Sequence, residues 1–434
     1  MPRRLDAGDP GFAEAFTELV QARKGGAPDV EAAVAAILAD VRARGDAAVI
    51  DYSRRFDGLE LEPGSLRVDD DEIEAAVTAC PPETRTALEM ATGRIEAFHR
   101  RQLPTTLAYR DGTGARLGAR WTPIAEVGLY VPGGRAAYPS SVLMNALPAK
   151  IAGVERLVMA VPAPDGRLDG AVLAAARLAG VHEVYRIGGA QAIAALAFGT
   201  ETVAPVDKIV GPGNAYVAAA KRQVFGVVGV DLIAGPSEVV VVADARNDST
   251  WIAADLLAQA EHDPAAQAIL ITDDQDFGDA VVRAAKEHLR RLPHPEVARA
   301  SWETHGAVIV VRRLAEAVPL VDRLAPEHLE LAIARPEPLA EAVRNAGAIF
   351  LGRFTPEAVG DYVAGPNHVL PTARTARFAS GLSVLDFLKR TTLVRCDARS
   401  LAALGPTAVA LARAEGLEAH ALSVAIRLPR TRRA

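Results

Sequence analysis

From Asp29 to about His99, apolar residues recur at three- and four-residue steps, as in Val30, Val34, Ile37 and Val41, and this predicts helices. Gly45 stands just past a helix end in that stretch. After Arg120 the rhythm changes to short β-rich runs alternating with Ala/Leu-rich helical segments. The predicted strands are Val127–Val131, Leu157–Val161, Val184–Ile187, Lys208–Val210, Val239–Ala243, Ala268–Thr272, Ala307–Val311 and Ala348–Leu351. Several are apolar without alternation, which suits parallel strands covered on both faces. Strands separated by helices read as βαβ units, hence an α/β fold. Beyond Thr372 the strand rhythm fades: Ser380 to Arg395 reads as a short strand or a loop, and Gly405–Ala421 as helical.

Three predicted strands run into glycine turns: Val131 into Pro132-Gly133-Gly134, Ile187 into Gly188-Gly189, and Val210 into Gly211-Pro212-Gly213-Asn214. Ligands of open α/β sheets sit at the carboxyl ends of strands, so these turns predict one binding edge. None is a GxGxxG fingerprint, and a standard dinucleotide loop is not expected. The 35 Gly and 28 Pro are a modest excess in keeping with many tight turns.

Half the residues are hydrophobic and 24% are charged, which excludes overall disorder. A net charge of −6 and only 5% aromatics argue against a nucleic-acid or anionic-membrane partner. Arg far outnumbers Lys, but the arginines are scattered, which favours genomic bias over anion recognition. Two cysteines, Cys80 and Cys396, exclude a disulfide framework or a Cys-based metal cluster. The start lacks the apolar stretch of a secretory signal and no run reaches membrane-span length, so a cytoplasmic location is expected.

Four segments carry chemistry. In Asp255–Pro264 the helical stripe Ile252, Leu256 continues into Gln259 and His262; these converge on an ion, or the helix end emerges into solvent. In Ala325–Leu331, Glu327 and His328 form an acid/base pair, or Pro326 opens a helix with Glu327 at its positive end. Asp361 and His368 stand around a Gly-Pro-Asn turn a few residues after the predicted strand ending at Leu351, which places them at the carboxyl edge again, and Glu415 and His420 lie five residues apart near the carboxyl terminus. Gln259, His262, Asp361 and His420 offer nitrogen and oxygen donors without a thiolate, compatible with zinc or a harder ion. The other histidines read as surface or satisfied structural residues.

Ordered motifs over nearly the whole chain then make it resemble the histidinol dehydrogenase family. They are GLYVPGG (128–134), GGAQAIAALAFGT (188–200), IVGPGNAYV (209–217), IAGPSEVVVVAD (233–244), DLLAQAEHDP, APEHLEL, NAGAIFLG, GDYVAGPNHVLPT, FLKR and EGLEAHA. The resemblance implies an NAD-dependent homodimer with one zinc ion per subunit, oxidising L-histidinol to L-histidine through L-histidinal. It implies Gln259, His262, Asp361 and His420 as zinc ligands, and Glu327 and His328 as acid/base residues. Tyr130, Gln191 and Asn214 would contact NAD, while Ser237, His328, His368 and Glu415, together with the zinc ligands, would contact substrate. The resemblance also implies that the carboxyl-terminal segment completes the partner's site, so Glu415 and His420 are expected to act across the dimer. The expected architecture is two Rossmann-like parallel-sheet domains with a small helical and extended terminal part. Residues 24–126 with 239–381 form the first domain, 127–238 the inserted NAD-side domain, and 1–23 with 382–434 the dimerising arms. A relative on the same scaffold that oxidises another small alcohol, such as a sulfonated diol, is the nearest rival; a non-catalytic zinc scaffold leaves Glu327 and His328 unexplained.

Overall fold

The computed structural model describes residues 1–22, 28–133 and 137–429; Gly134 and the basic tail residues Arg430 to Arg433 lie outside the described residues. Two parallel sheets carry the fold. The first has six strands in the order Arg3–Asp6, Ala307–Val310, Gln267–Thr272, Glu238–Ala243, His328–Ala332 and Ala348–Leu351. Glu238–Ala243 and Gln267–Thr272 are buried along their entire lengths, because helices cover both faces. Val239 and Val241 pack with Ile252 and Leu256 of helix Ser249–Ala260, while Val240 and Val242 face Leu320 and Val321 on the other side.

The second sheet has five strands, in the order Glu183–Tyr185, Arg156–Ala160, Glu126–Tyr130, Lys208–Val210 and Gly229–Val230. Its chain path starts on the central strand, moves outward to one side and returns to the other. Apart from the added strand Arg3–Asp6, the first sheet follows the same order, starting from Glu238–Ala243. Each sheet therefore has a switch point beside its starting strand, where a ligand crevice opens at the carboxyl ends. In the first sheet Asn247 bridges that crevice, its Nδ2 donating to Asp244 O (3.0 Å) and Ala332 O (2.6 Å).

A third sheet is antiparallel: Leu388–Arg395 pairs along Arg116–Pro123, which pairs with Leu107–Arg110. Helices Ala398–Ala414 and Glu418–Ala425 follow. The parallel sheets have the predicted α/β character, and the eight predicted strands are present to within about two residues at each end.

Two parts of the expected division differ. The helices between Pro28 and His99 cover the second sheet: Val34 and Val41 share a core with Ile193 and Ile209, and Leu88 and Ile95 with Val127 and Leu143. An amphipathic stripe shows that a helix is buried but not against which sheet. Residues 3–6, expected in a dimerising arm, pair in parallel with Ala307–Val310, and Phe16 and Leu19 join the core of the first sheet. Four residues of mixed polarity carry no periodic signal of a partner some three hundred positions away. Among the described residues, no helix is long and apolar enough to cross a membrane.

Candidate active site

Glu327 and His328 stand at the entry of a strand, not on a helix. Helix Ala317–Leu324 ends at Ala325, which has φ 47°, and Pro326 turns the chain into His328–Ala332. Backbone pairing holds the entry, with Gly347 N donating to Pro326 O and Ala348 N to Glu327 O (both 2.9 Å). A Cβ at Gly347 would come within 2.5 Å of Glu327 O, so the two strand starts approach as only glycine permits. The period-two alternation His328-Leu329-Glu330-Leu331 was the available sign of a strand. It sends His328 and Glu330 to the face covered by helix Ser249–Ala260, and Leu329 and Leu331 into the opposite core.

Around the buried His328 ring lie Glu357 Oε1 (3.4 Å) and Glu327 Oε2 (3.9 Å) at Nδ1, and Asp361 Oδ1 (3.5 Å) at Nε2. Burial disfavours the imidazolium, but Glu357, Glu327 and Asp361 outweigh it and raise His328 to about 10. Burial pushes Glu327 up, against the pull of His328; Glu327 Oε2 accepts the Glu238 N–H (3.1 Å), and Ser237 also hydrogen-bonds this carboxylate. The Gln259 amide lies fully buried at the end of helix Ser249–Ala260, 3.1 Å from His328 Nδ1. With its amide nitrogen turned to satisfy its neighbours, it donates to Glu238 O (3.2 Å) and Glu357 Oε1 (3.3 Å).

Glu357 escaped the sequence reading. It opens helix Glu357–Tyr362 after Pro356, four residues before Asp361, and that spacing puts both carboxylates on one helical face. Burial raises Glu357 to about 8, opposed by His328. Its backbone N–H is held by the buried Glu330 Oε1 (2.6 Å). Burial also raises Asp255, hydrogen-bonded to Glu330, to about 6. His262, Glu357 and Asp361 bring one ligand atom each within 4.8 Å of one another. The Oε2 of Glu357 and Nε2 of His328 are buried without a hydrogen-bond partner. This oxygen- and nitrogen-rich group, with the buried Glu357 Oε2 left unsatisfied, fits a cation.

An adjoining cleft of ≈ 510 Å³ is lined by Asp361, His368, Asn367, Phe350, Gln102 and Leu382. His368 Nδ1 bonds Asp361 O (2.8 Å) and its Nε2 lies 3.5 Å from Ser141 Oγ; burial lowers its pKa and favours the neutral ring. All these groups gather at the amino ends of the first sheet's strands. The expected carboxyl-edge placement of Asp361 and His368 is thus corrected: helix Glu357–Tyr362 brings the chain back to the opposite rim.

The comparisons decide the family. The family model described as histidinol dehydrogenase matches residues 21–428. A histidinol dehydrogenase of Rhodospirillum rubrum is 65% identical over 431 residues, covering 99% of both chains, and one of Rhizobium meliloti is 64% identical over 428 residues with the same coverage. The crystal structure of histidinol dehydrogenase from Elizabethkingia anophelis superimposes with a TM-score of 0.93 at 35% identity, covering 98% of each chain.

The chain belongs to the histidinol dehydrogenase family.

Histidinol dehydrogenases are oxidoreductases, and this chain's activity is the family's: two NAD-dependent oxidations that complete histidine biosynthesis. Of the residues singled out in the histidinol dehydrogenase motifs, Ser237, Gln259, His262, Glu327, His328, Asp361 and His368 come together at one rim. Glu415 and His420 do not join them within the chain. Both are exposed, on the turn and helix that follow Ala398–Ala414, and His420 is not in the group around His262.

The second sheet carries the remaining motifs. Tyr130 ends its central strand, deeply buried, and its hydroxyl accepts the Gly189 N–H (3.1 Å); burial raises it to about 12. Gln191 is buried in helix Gly189–Phe198, with Oε1 lacking a hydrogen-bond partner. Asn214 Oδ1 caps helix Ala215–Val224 by accepting the N–H groups of Tyr216 (3.0 Å) and Val217 (3.1 Å). A Cβ on Gly133 or Gly188 would crowd Pro162, at 3.1 and 2.8 Å, so these turns meet at the carboxyl rim.

Proposed function

We propose that Gln259, His262 and Asp361, with His420 of the partner subunit, hold one zinc ion per subunit, and that this site oxidises L-histidinol to L-histidine through L-histidinal. The observation that carries the reading is the convergence of His262, Asp361 and Glu357 beside the buried Glu327 and His328. When bound, zinc supplies a fixed anchor for the substrate's imidazole and amine and no redox chemistry. NAD is the hydride acceptor, seated against Tyr130, Gln191 and Asn214 at the switch point of the second sheet.

In the first oxidation the alcohol carbon loses a hydride to NAD and the hydroxyl loses its proton to Nε2 or Nδ1 of His328. That role needs a neutral imidazole. A zinc ion held by Gln259, His262, Asp361 and the partner's His420 would offset the Asp361 charge that, with Glu357 and Glu327, favours the imidazolium. Histidinal then adds water. Glu327, whose raised pKa brings a carboxylate base nearer to neutrality, takes a proton from that water while His328 returns its proton to the aldehyde oxygen and becomes a base again. The hydrate loses the second hydride to NAD while His328 accepts another proton, and the carboxylic acid results. Glu415 of the partner subunit accepts a hydrogen bond from the substrate imidazole, and Ser237 and His368 line the substrate's seat. Holding histidinal between the steps limits loss of a reactive aldehyde.

Prolonged dialysis against a chelator is expected to abolish NADH formation from histidinol, and stoichiometric Zn²⁺ to restore it. Full turnover by protein containing no metal on elemental analysis overturns the ligand set. The homodimer is part of the same proposal. Leu393, Val394, Leu411, Leu417, Leu422 and Ile426 leave an exposed apolar surface on the terminal strand and helices, next to Glu415 and His420. Mixing His328→Ala and His420→Ala subunits is expected to recover about a quarter of wild-type activity, since half the dimers are mixed and each has one intact site. Activity no higher than either parent's counts against site sharing. The two unpaired cysteines, Cys80 and Cys396, support a reducing cytoplasm.

A further inference from the structure

The Gly211-Pro212-Gly213 turn leaves the second sheet where the chain has just passed the central strand. Gly211 has φ 114°, and a Cβ there would overlap the carbonyl oxygen of Tyr130. Its backbone therefore lies directly on that of Tyr130, and its peptide groups have left the strand ladder. Both are taken up by one buried ion pair. Asp231 Oδ2 accepts the Gly211 N–H (2.7 Å), and Lys221 Nζ donates to Gly211 O (2.9 Å) and to Asp231 Oδ1. The two side chains are only 2% and 1% exposed.

Burying such a pair costs desolvation that its attraction roughly offsets, so it is a weak source of stability. It is, however, directional. Lys221 comes from helix Ala215–Val224 and Asp231 from the end of strand Gly229–Val230, and both converge on the same residue. Joined to each other, they fix its N–H and its C=O together. Pro212, Gly213 and Asn214 are thereby placed relative to Tyr130 across the switch point.

We propose that the Lys221–Asp231 pair is a positioning device that holds the Gly211–Asn214 turn in the geometry that receives NAD. The inference rests on the reading that NAD binds at this rim. Neither residue touches the dinucleotide; both act through Gly211. The pair therefore sets the affinity for NAD while leaving the histidinol site, on the other sheet, unaffected.

The test compares three variants by steady-state kinetics and thermal melting. K221M/D231L removes both charges without stranding either one, and is expected to keep a cooperative melting transition. Its KM for NAD is expected to rise about tenfold, with kcat at saturating NAD and KM for histidinol within about twofold of wild type. K221M/D231N keeps an acceptor for the Gly211 N–H and is expected to fall between. If the leucine variant does not fold, the same comparison is read from K221M/D231N. N214D keeps the helix cap but loses the side-chain amide donor, and so tests the NAD rim itself. A raised KM for NAD in N214D with an unchanged value in the double variants overturns the positioning role and leaves the rim standing. Unchanged values in all three overturn the rim and the inference together. A parallel loss of kcat and of both KM values in the double variants shows a merely structural pair and also overturns it.

Discussion

Replacing His328 by alanine is expected to lower kcat about a thousandfold for both oxidations, whether histidinol or histidinal is supplied. General acid–base groups contribute ~10²–10⁴, and this imidazole is assigned a proton in each step. It is packed between Gln259, Glu357 and Asp361, so no solvent base has equal access to the same point. A His328→Asn variant keeps a polar side chain against Gln259 but has no titratable nitrogen, and is expected to show the same loss. Metal content and melting temperature, measured alongside, separate lost proton transfer from a disturbed site. NADH formation above about a tenth of the wild-type rate in the Asn variant, under conditions where it is folded and zinc-loaded, overturns the assignment.

Changing Glu327 to glutamine divides the two oxidations. The amide oxygen still accepts the Glu238 N–H, so the strand entry keeps its hydrogen bond. What is lost is a carboxylate able to take a proton from water. Alcohol oxidation is expected to stay within about threefold of wild type, and oxidation of supplied histidinal to fall ~10²–10³-fold. The NADH yield per histidinol then falls from two towards one as the aldehyde accumulates or escapes. Stopped-flow absorbance with each substrate reads both rates. Alcohol oxidation abolished while histidinal is still consumed would reverse the division of labour between Glu327 and His328.

The strands of the two parallel sheets were legible because burial on both faces leaves an almost purely apolar run, as in Val239–Ala243 and Ala268–Thr272. His328–Ala332 was missed as a strand for the opposite reason. It places two polar side chains on one face among carboxylates, and function there overrides composition. Glu357 was illegible because its importance comes from burial beside His328, not from its neighbours in sequence; only the i, i+4 relation to Asp361 hinted at it. Arg3–Asp6 shows the limit for long-range pairing, since an edge strand needs little more than a free sheet edge. Gln259 was legible as a polar break in the apolar stripe of helix Ser249–Ala260, whereas His262 lies exposed just past the end of that helix instead of on its face. The motifs of Glu415 and His420 are equally plain, yet both residues are exposed on the turn and helix after Ala398–Ala414, outside the group formed by His262, Glu357 and Asp361.

The closure of the first sheet by Asn247 bears on the timing of turnover. With that crevice bridged, the dinucleotide seat proposed here belongs to the second sheet alone, although the reaction consumes two NAD molecules. On the proposed seats, the first reduced cofactor would depart, and an oxidised one arrive, while the half-oxidised substrate stayed anchored against the other sheet. With the two seats on separate rims, one ligand would be exchanged without releasing the other, so one site would run a four-electron oxidation as two successive visits by the same kind of carrier.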